Sequence, residues 1–233
     1  HYGEYAQIGV SGGKVKALLS NADAWRHPEG VQPGASAGTA AAHAGKPEND
    51  LKGTKTYTYT KDGVRIHLYL DQHMDGRVEG MLVEAQGGSA AASAGQNELA
   101  AAYERQIFDM TNAFRLKNGL PVLAWDDTLA QAARGHSGDM ARRGYFDHDS
   151  PDGKSVWDRL QAVGFEKYAR YAENIAAGYP DAFAAFNGWI NSSGHRQNML
   201  TDGLDMLGVG VVHDGGSDYG WYYTQNFYTP PWW

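Results

Sequence analysis

The residue types best suited to chemistry in this sequence are imidazoles and a carboxylate in three short stretches of its second half. The stretches are Tyr145–His148, Ala172–Ile175 and Trp189–Asn198, which contain His148, Glu173 and His195. Two imidazoles and a carboxylate can hold zinc or another divalent ion if they converge. Spacing does not show convergence, and the same groups in a polar cleft hydrogen-bond each other and water. A divalent ion on His148 and His195 is therefore one hypothesis beside a metal-free polar site.

Serine hydroxyls just before His195 suggest a second chemistry, hydrolysis. Ser192 and Ser193 precede this histidine, and Glu173 could orient a histidine within a Ser–His–acid set. No Gly-x-Ser-x-Gly elbow surrounds these serines. Ser192-Ser193-Gly194 is also typical of the point where one helix ends and the next turn begins, because Ser and Gly satisfy loose backbone groups there. We favour this structural role over a nucleophile.

The other histidines lack ligand-like spacing. His136 shares a helical face with Leu129, Ala133 and Met140, which predicts a buried imidazole held by one or two hydrogen bonds. His213 falls at the end of a predicted strand, where we expect a solvated turn. The remaining five are scattered through the first half of the chain and receive no role: His1, His27, His43, His67 and His73.

Composition excludes several classes of function. The chain has 233 residues, a net charge of −7 and no Lys/Arg run, which argues against a nucleic-acid groove or electrostatic binding to an anionic membrane. With no cysteine, disulfides and thiolate metal sites are impossible. No apolar run reaches the roughly 18 residues of a transmembrane helix. The chain starts at His1 rather than Met, so we expect a processed or trimmed chain from which any signal peptide has been removed.

Two stretches rich in small residues organise the chain. Pro33–Lys46 and Gly87–Gly95 bury little apolar area per ordered residue, so we predict a loop and a linker. The second stretch sets the expected boundary, with one domain at residues 1–86, a linker at 87–96 and a second domain at 97–233. Turn residues separate alternating segments in the first domain, which predicts a small β-rich module. Its five strands are expected at Tyr5–Val10, Lys14–Leu19, Thr56–Thr60, Val64–Leu70 and Val78–Val83.

Helical periodicity dominates after residue 96. Apolar residues spaced three or four apart from Leu99 to Phe114 predict a first helix. A second helix should start after Asp126 and Asp127 and end at Gly144. Two further helices are predicted over residues 155–163 and 181–191, and two strands over 207–212 and 221–228. Helices followed by strands predict an α+β domain.

Five motifs in a fixed order carry a family resemblance. They are Trp125-Asp126-Asp127, the three stretches that contain His148, Glu173 and His195, and the aromatic strand Tyr223–Phe227. With this order and spacing, residues 97–233 resemble a bacterial CAP domain (cysteine-rich secretory protein, antigen 5 and pathogenesis-related proteins; SCP-like). The resemblance implies an α-β-α sandwich whose cleft is lined by two histidines and two acids.

Carried onto this sequence, the resemblance places His148, Glu173 and His195 in the cleft. Ala172 stands where the family's Gly-Glu-Asn motif has Gly, and Ser192 stands where its second acid would be. The site is therefore expected to hold three of the four family groups, with Ser192 as the fourth lining residue. The first domain is similar to a β-rich module that precedes CAP domains in some bacterial secreted or wall-associated proteins.

The expected function is that of a secreted or cell-surface protein, a non-enzymatic binding or interaction module. Its partner would be a small ligand, a peptide or a glycan, with cell-wall association. One alternative is a metal-assisted or Ser/His hydrolase acting on peptide or cell-wall material. Another is lipid binding, which requires an apolar groove beside the cleft. The C-terminal Pro230–Trp233 is expected to pack on the protein itself rather than on a partner.

Overall fold

The computed structural model describes residues 2–26, 30–44, 48, 56–85 and 95–231. The chain divides into two compact units, His1–Ala94 and Gly95–Trp233, and each has a buried apolar core of its own. Residues 87–94 of the predicted linker lie outside the described residues, as do His1, His27, Trp232 and Trp233.

The first unit is built on an antiparallel sheet of five strands in the order β1-β2-β5-β4-β3. The strands are β1 Gln7–Ser11, β2 Lys14–Ser20, β3 Thr56–Lys61, β4 Val64–Asp71 and β5 Arg77–Ala85. All five predicted strands are confirmed. Gly12 and Gly13 turn between β1 and β2 with φ of 58° and 70°, the left-handed pair that a two-residue hairpin loop requires.

The structure contradicts one prediction for the first unit. Pro33–Lys46 was expected to be a loop, but it contains helix α1, Ala37–Ala44. The Ser36 hydroxyl accepts a hydrogen bond from the Thr39 amide at 3.0 Å, and Ala40 is fully buried in the core. Alanine has the best helix propensity of all residues, so a short alanine run with a cap and a core to pack on forms a helix.

The second unit combines helices with a four-stranded sheet, which confirms the α+β class. Its sheet has the order β6-β8-β9-β7, with β6 parallel to β8 and the other pairs antiparallel. The helices are α2 Gln96–Lys117, α3 Asp127–Arg143, α4 Val156–Ala162, α5 Ala182–Ile190 and α6 Ser193–Met199. The strands are β6 Ala124–Trp125, β7 Arg170–Ala177, β8 Met206–Asp214 and β9 Gly220–Thr229.

The predicted ends of α3 are confirmed by its caps. Asp126 accepts a hydrogen bond from the Leu129 amide at 2.8 Å, and Gly144 ends the helix with φ of 66°. Three elements of the second unit were not predicted, β6, β7 and α6, and the last two carry Glu173 and His195. β7 lacks an alternating apolar pattern, and the seven polar-rich residues of α6 are too few to show a helical period.

Close contact between α3 and β8 depends on two glycines. A Cβ at Gly208 would lie 2.2 Å from the Ala130 backbone nitrogen, and a Cβ at Gly210 would lie 2.0 Å from that of Arg134. Only residues without a side chain allow a helix backbone this near a strand. The contact seats the inner face of α3, which includes His136, directly on the sheet.

Candidate functional site

A loop, a strand and a helix position the residues of the site. His148 lies in the loop between α3 and α4, Glu173 lies on β7, His195 lies on α6, and Ser192 immediately precedes α6. The loop that carries His148 closes through a turn in which the Gly153 amide donates to the Ser150 carbonyl at 2.7 Å. Helix α4 then begins at a capping box formed by Ser155 and Asp158, which sets the position of the next residue, Arg159.

The Glu173 carboxylate is the centre of the site. Its side chain is 1% exposed, and Arg159 donates to both of its oxygens through Nη2, at 3.0 and 2.8 Å. His148 Nδ1 lies 2.9 Å from Oε1. With its amide nitrogen turned toward Glu173, Asn226 donates to Oε2 at 3.1 Å. A buried carboxylate needs this degree of pairing, because an uncompensated charge away from water is costly.

Arg159 also fixes the backbone beside the first imidazole. Its Nη1 donates to the His148 carbonyl at 2.8 Å, while its Nη2 holds Glu173. One guanidinium thus sets the distance between the loop that carries His148 and the strand that carries Glu173. Arg159 therefore pairs with the acid of the site rather than standing free. The planar fork of arginine suits it to such multiple contacts.

His136 is a third histidine behind the site. It is fully buried, and its Nε2 lies 3.1 Å from the Asp147 carbonyl and 3.7 Å from Glu173 Oε1. Burial lowers the pKa of His136, against the raising effect of Glu173. The predicted buried histidine is confirmed, but its contact with the loop just before His148 was missed. The available signal was its place on the inner face of α3.

The His148 side chain is more exposed to solvent than that of Glu173, its hydrogen-bond partner. The side chain of His148 is 46% exposed, and the hydrogen bond with Glu173 raises its pKa above the ordinary value of 6.5, against the lowering effect of partial burial. The bond to Nδ1 leaves Nε2 as the nitrogen that is available to a ligand.

Amide side chains connect His195 to the strand of Glu173. Asn174 donates to the His195 carbonyl at 3.1 Å and to Gln225 Oε1 at 3.0 Å. Asn198 donates to the Glu173 carbonyl at 3.1 Å and to Asn174 Oδ1 at 2.9 Å. Asn174 therefore holds the backbone of His195 in place. These bonds secure both ends of the turn on which the second imidazole lies.

The two imidazoles interact through their charges. Burial lowers the pKa of His195, and the charge of His148 lowers it further. The structure therefore brings His148 and His195 within electrostatic reach, although 47 positions of sequence number separate them (195 minus 148). The resemblance places the family's second acid at Ser192, three residues before His195.

The serines of this turn do not form a nucleophile–base pair. Ser192 begins α6 and makes no capping hydrogen bond through its side chain. Among the described residues, no hydrogen bond joins the hydroxyl of Ser192 or Ser193 to His195. A serine nucleophile requires that contact, so this arrangement matches the structural role expected for the Ser-Ser-Gly turn.

The donor set is too small for a resident zinc ion. In the described ranges, no group of three or more histidine, aspartate or glutamate side chains is arranged to hold a metal. Arg159, His148 and Asn226 occupy the oxygens of Glu173, which leaves His148 and His195 as two nitrogen donors. Protein zinc sites use three or four protein ligands, so the residues present do not fit such a site.

The fold and this arrangement of residues define the class of protein. The model of the cysteine-rich secretory protein (CAP) family matches residues 108–227, a span that contains His148, Glu173, Ser192 and His195. The chain belongs to this family. It does so without any cysteine, so the fold here depends on packing and hydrogen bonds rather than disulfides.

Two relatives from Bacillus subtilis match the second unit. One is the uncharacterized membrane protein YlbC, with 45% identity over 124 residues, which are 53% of this chain and 34% of that protein. The other is the uncharacterized protein YkwD, with 41% identity over 114 residues, which are 49% of this chain and 44% of that protein. The match thus spans less than half the length of each of these relatives.

Two solved structures match almost the whole chain. An extracellular protein with an SCP domain from Bacillus anthracis has a TM-score of 0.82 and 27% identity, over 98% of this chain and 83% of that one. A cysteine-rich secretory protein from Staphylococcus aureus has a TM-score of 0.70 and 16% identity, over 96% of this chain and 79% of that one. At 16% identity, the second match shows similarity of fold and nothing further. Both extend over the β-rich first unit as well as the CAP domain.

Proposed function

We propose that this chain is an exported bacterial CAP protein that acts as a non-enzymatic binding module, with a ligand held between His148 and His195. Export is supported by the extracellular neighbour from Bacillus anthracis. None of the described helices is both long and apolar enough to cross a bilayer. Ser192 and the outward-facing nitrogen of His148 would contribute hydrogen bonds to a small polar ligand or to one part of a larger polymer.

The observation that supports this proposal most is that both oxygens of the Glu173 carboxylate already have partners within the protein. Its two oxygens already accept from Arg159 and interact with His148, so the carboxylate is not placed to attack a substrate or to activate water. A general base must reach the proton that it abstracts, and this one faces an arginine instead. The arrangement supports a rigid recognition site rather than a hydrolase.

The test uses the full chain with purified bacterial peptidoglycan as the probe. We expect the protein to co-sediment with this polymer and to release no new reducing ends or amino groups. His148→Ala and His195→Ala should each weaken the binding constant about fivefold, since each removes a polar contact worth roughly 1 kcal/mol; the bound fraction is measured across a series of polymer concentrations. Glu173→Ala is a poorer variant, because it leaves Arg159 without its partner and threatens the fold.

His73→Ala is the matched control, because His73 is an exposed histidine of the first unit. It should bind as the unmodified protein does. Release of products that stops in His148→Ala or His195→Ala would establish hydrolysis and overturn the proposal. Failure to co-sediment, or equal binding by both site variants and the control, would also reject it.

A further inference from the structure

Exposed aromatic rings concentrate beside the site. Three large aromatic residues are exposed over nearly half of their surface in the described part of the chain, namely Phe146 at 44%, Tyr168 at 43% and Tyr219 at 48%. Each packs against another ring, Phe146 with Tyr219 and Tyr168 with two neighbours. Exposed aromatic rings that lie together in one patch are typical of surfaces that bind a ligand or another protein.

The larger cluster is preformed. Trp157, Tyr168 and Tyr171, which we call the aromatic surface, have ring centroids 4.5, 4.6 and 5.6 Å apart. Trp157 and Tyr171 pack from behind on a buried core that includes Leu129 and Leu160. Because Tyr168 lies on this support, its ring is held in place at little cost in side-chain entropy when a ligand covers it.

The aromatic surface adjoins the polar site. Tyr171 lies two residues before Glu173 on β7, so both side chains point to the same face of the strand. Burial raises the pKa of Tyr171 most and Tyr168 raises it further, while the carboxylate of Asp149, the residue after His148, adds a smaller effect. A ligand held at His148 can therefore extend across these rings.

The chemistry around the rings selects one class of ligand. Asp149 and Asp158 both act on Tyr171 through their charges, which disfavours an anion. The rings touch one another, which leaves no slot between them for an acyl chain. A sugar ring with equatorial substituents offers a flat face of C–H groups to an aromatic ring and hydroxyls to nearby carboxylates. Aromatic faces attract such weakly positive edges.

We propose that the aromatic surface binds a neutral glycan strand of β-linked pyranoses, with one sugar ring stacked on Tyr168 and the neighbouring sugar hydrogen-bonded at His148. This inference rests on the proposed binding function and names its ligand class. Phe146, two residues before His148, forms with Tyr219 a second pair of rings on which the strand can continue.

The test is calorimetric titration of the full chain with chitotetraose, a soluble strand of four β-linked N-acetylglucosamines. Tyr168→Ala should weaken binding about tenfold, the size expected for one stacking contact. Tyr168→Phe keeps the ring and should bind within about twofold of the unmodified protein. Leu116→Ala, which removes an exposed apolar group of α2, should have no effect. Absence of binding heat, or equal affinity in Tyr168→Ala, would overturn the inference.

Peptidoglycan co-sedimentation separates this inference from the proposed function. Retention that is lost in His195→Ala but kept in Tyr168→Ala would preserve the polar site and reject the glycan surface. Retention that is lost in Tyr168→Ala alone would support stacking on Tyr168 but reject the polar site, and with it the sugar contact at His148. Retention that persists on the polymer but cannot be displaced by chitotetraose would point to its peptide part and reject a glycan ligand.

Discussion

At the scale of single residues, Glu173 determines the character of the site. A buried carboxylate that accepts from Arg159 and pairs with His148 stabilises the contact between a loop and a strand. With a second acid beside Glu173 and Arg159, the site would have a net negative charge and would favour binding of a cation. Here Ser192 replaces that acid, so one arginine and one glutamate compensate each other.

The pKa values of the histidines offer a direct test at this scale. We expect NMR titration to place His148 above 6.5 and His195 below it, since Glu173 stabilises the imidazolium of the first and burial disfavours that of the second. Glu173→Gln should lower the pKa of His148, because a neutral amide does not favour its charged form. Equal titration of His148 in both proteins would contradict the assigned hydrogen bond.

The pH dependence of stability has opposite signs for two of these residues. The raised pKa of His148 contributes stability that is fully present below about pH 6.5 and is lost as pH rises through its folded pKa. The lowered pKa of His136 contributes stability that is present above about pH 6.5 and is lost as pH falls through its folded pKa. Acid should therefore weaken the fold through the buried His136, while a rise in pH weakens the His148–Glu173 pair.

At the scale of elements, the packing of α3 on β8 positions much of the site. Gly208 and Gly210 permit the approach of the helix, and α3 carries His136, which holds the Asp147 carbonyl. Arg134 on the same helix donates to both oxygens of the buried Glu104 at 2.6 and 2.7 Å. The helix is thus anchored to α2 on one side and to the sheet on the other.

Gly210→Ala should destabilise the second unit by at least about 3 kcal/mol, the upper range for overpacking. The added Cβ would meet the backbone of Ala133 and Arg134, at 2.3 and 2.0 Å, and backbone cannot rotate away. Chemical denaturation measures the change. Gly135→Ala on the same helix has open space around it and should instead stabilise by about 0.5–1 kcal/mol. A neutral Gly210→Ala would contradict the close approach.

At the scale of the whole molecule, the chain is two units with separate cores. The first core includes Tyr57, Ile66 and Leu68, and the second unit has clusters around Leu129 and Met140. Separate cores allow each unit to lose stability without the other. The histidine site lies wholly within the second unit.

Leu68→Ala tests this independence. Leu68 is fully buried in the first core, and its truncation should cost about 2–5 kcal/mol in that unit. The NMR signals and titration of His148 and His195 should stay unchanged. If the variant shifted both histidines, the two units would be coupled, contrary to this expectation.

Much of this protein was predictable from its sequence, because local patterns report local structure. Glycine turns and alternation marked the five strands of the first unit, and helical spacing with caps marked α2 and α3. The order of short motifs around His148, Glu173 and His195 indicated the CAP family, and the family comparison shows it. These features depend on residues close together in the chain.

Only the tertiary structure decided which residues of the site are joined by hydrogen bonds. The bonds from Arg159 to Glu173, from Asn174 to the His195 carbonyl and from His136 to the Asp147 carbonyl join residues 11 to 21 positions apart. Whether a carboxylate is free or already paired depends on distances that no local pattern encodes. The sequence by itself indicated the family and predicted His148, Glu173, Ser192 and His195 as site residues. The tertiary structure determined that the Glu173 carboxylate is paired with Arg159 and His148. A buried carboxylate requires such partners, because an unpaired charge away from water is costly.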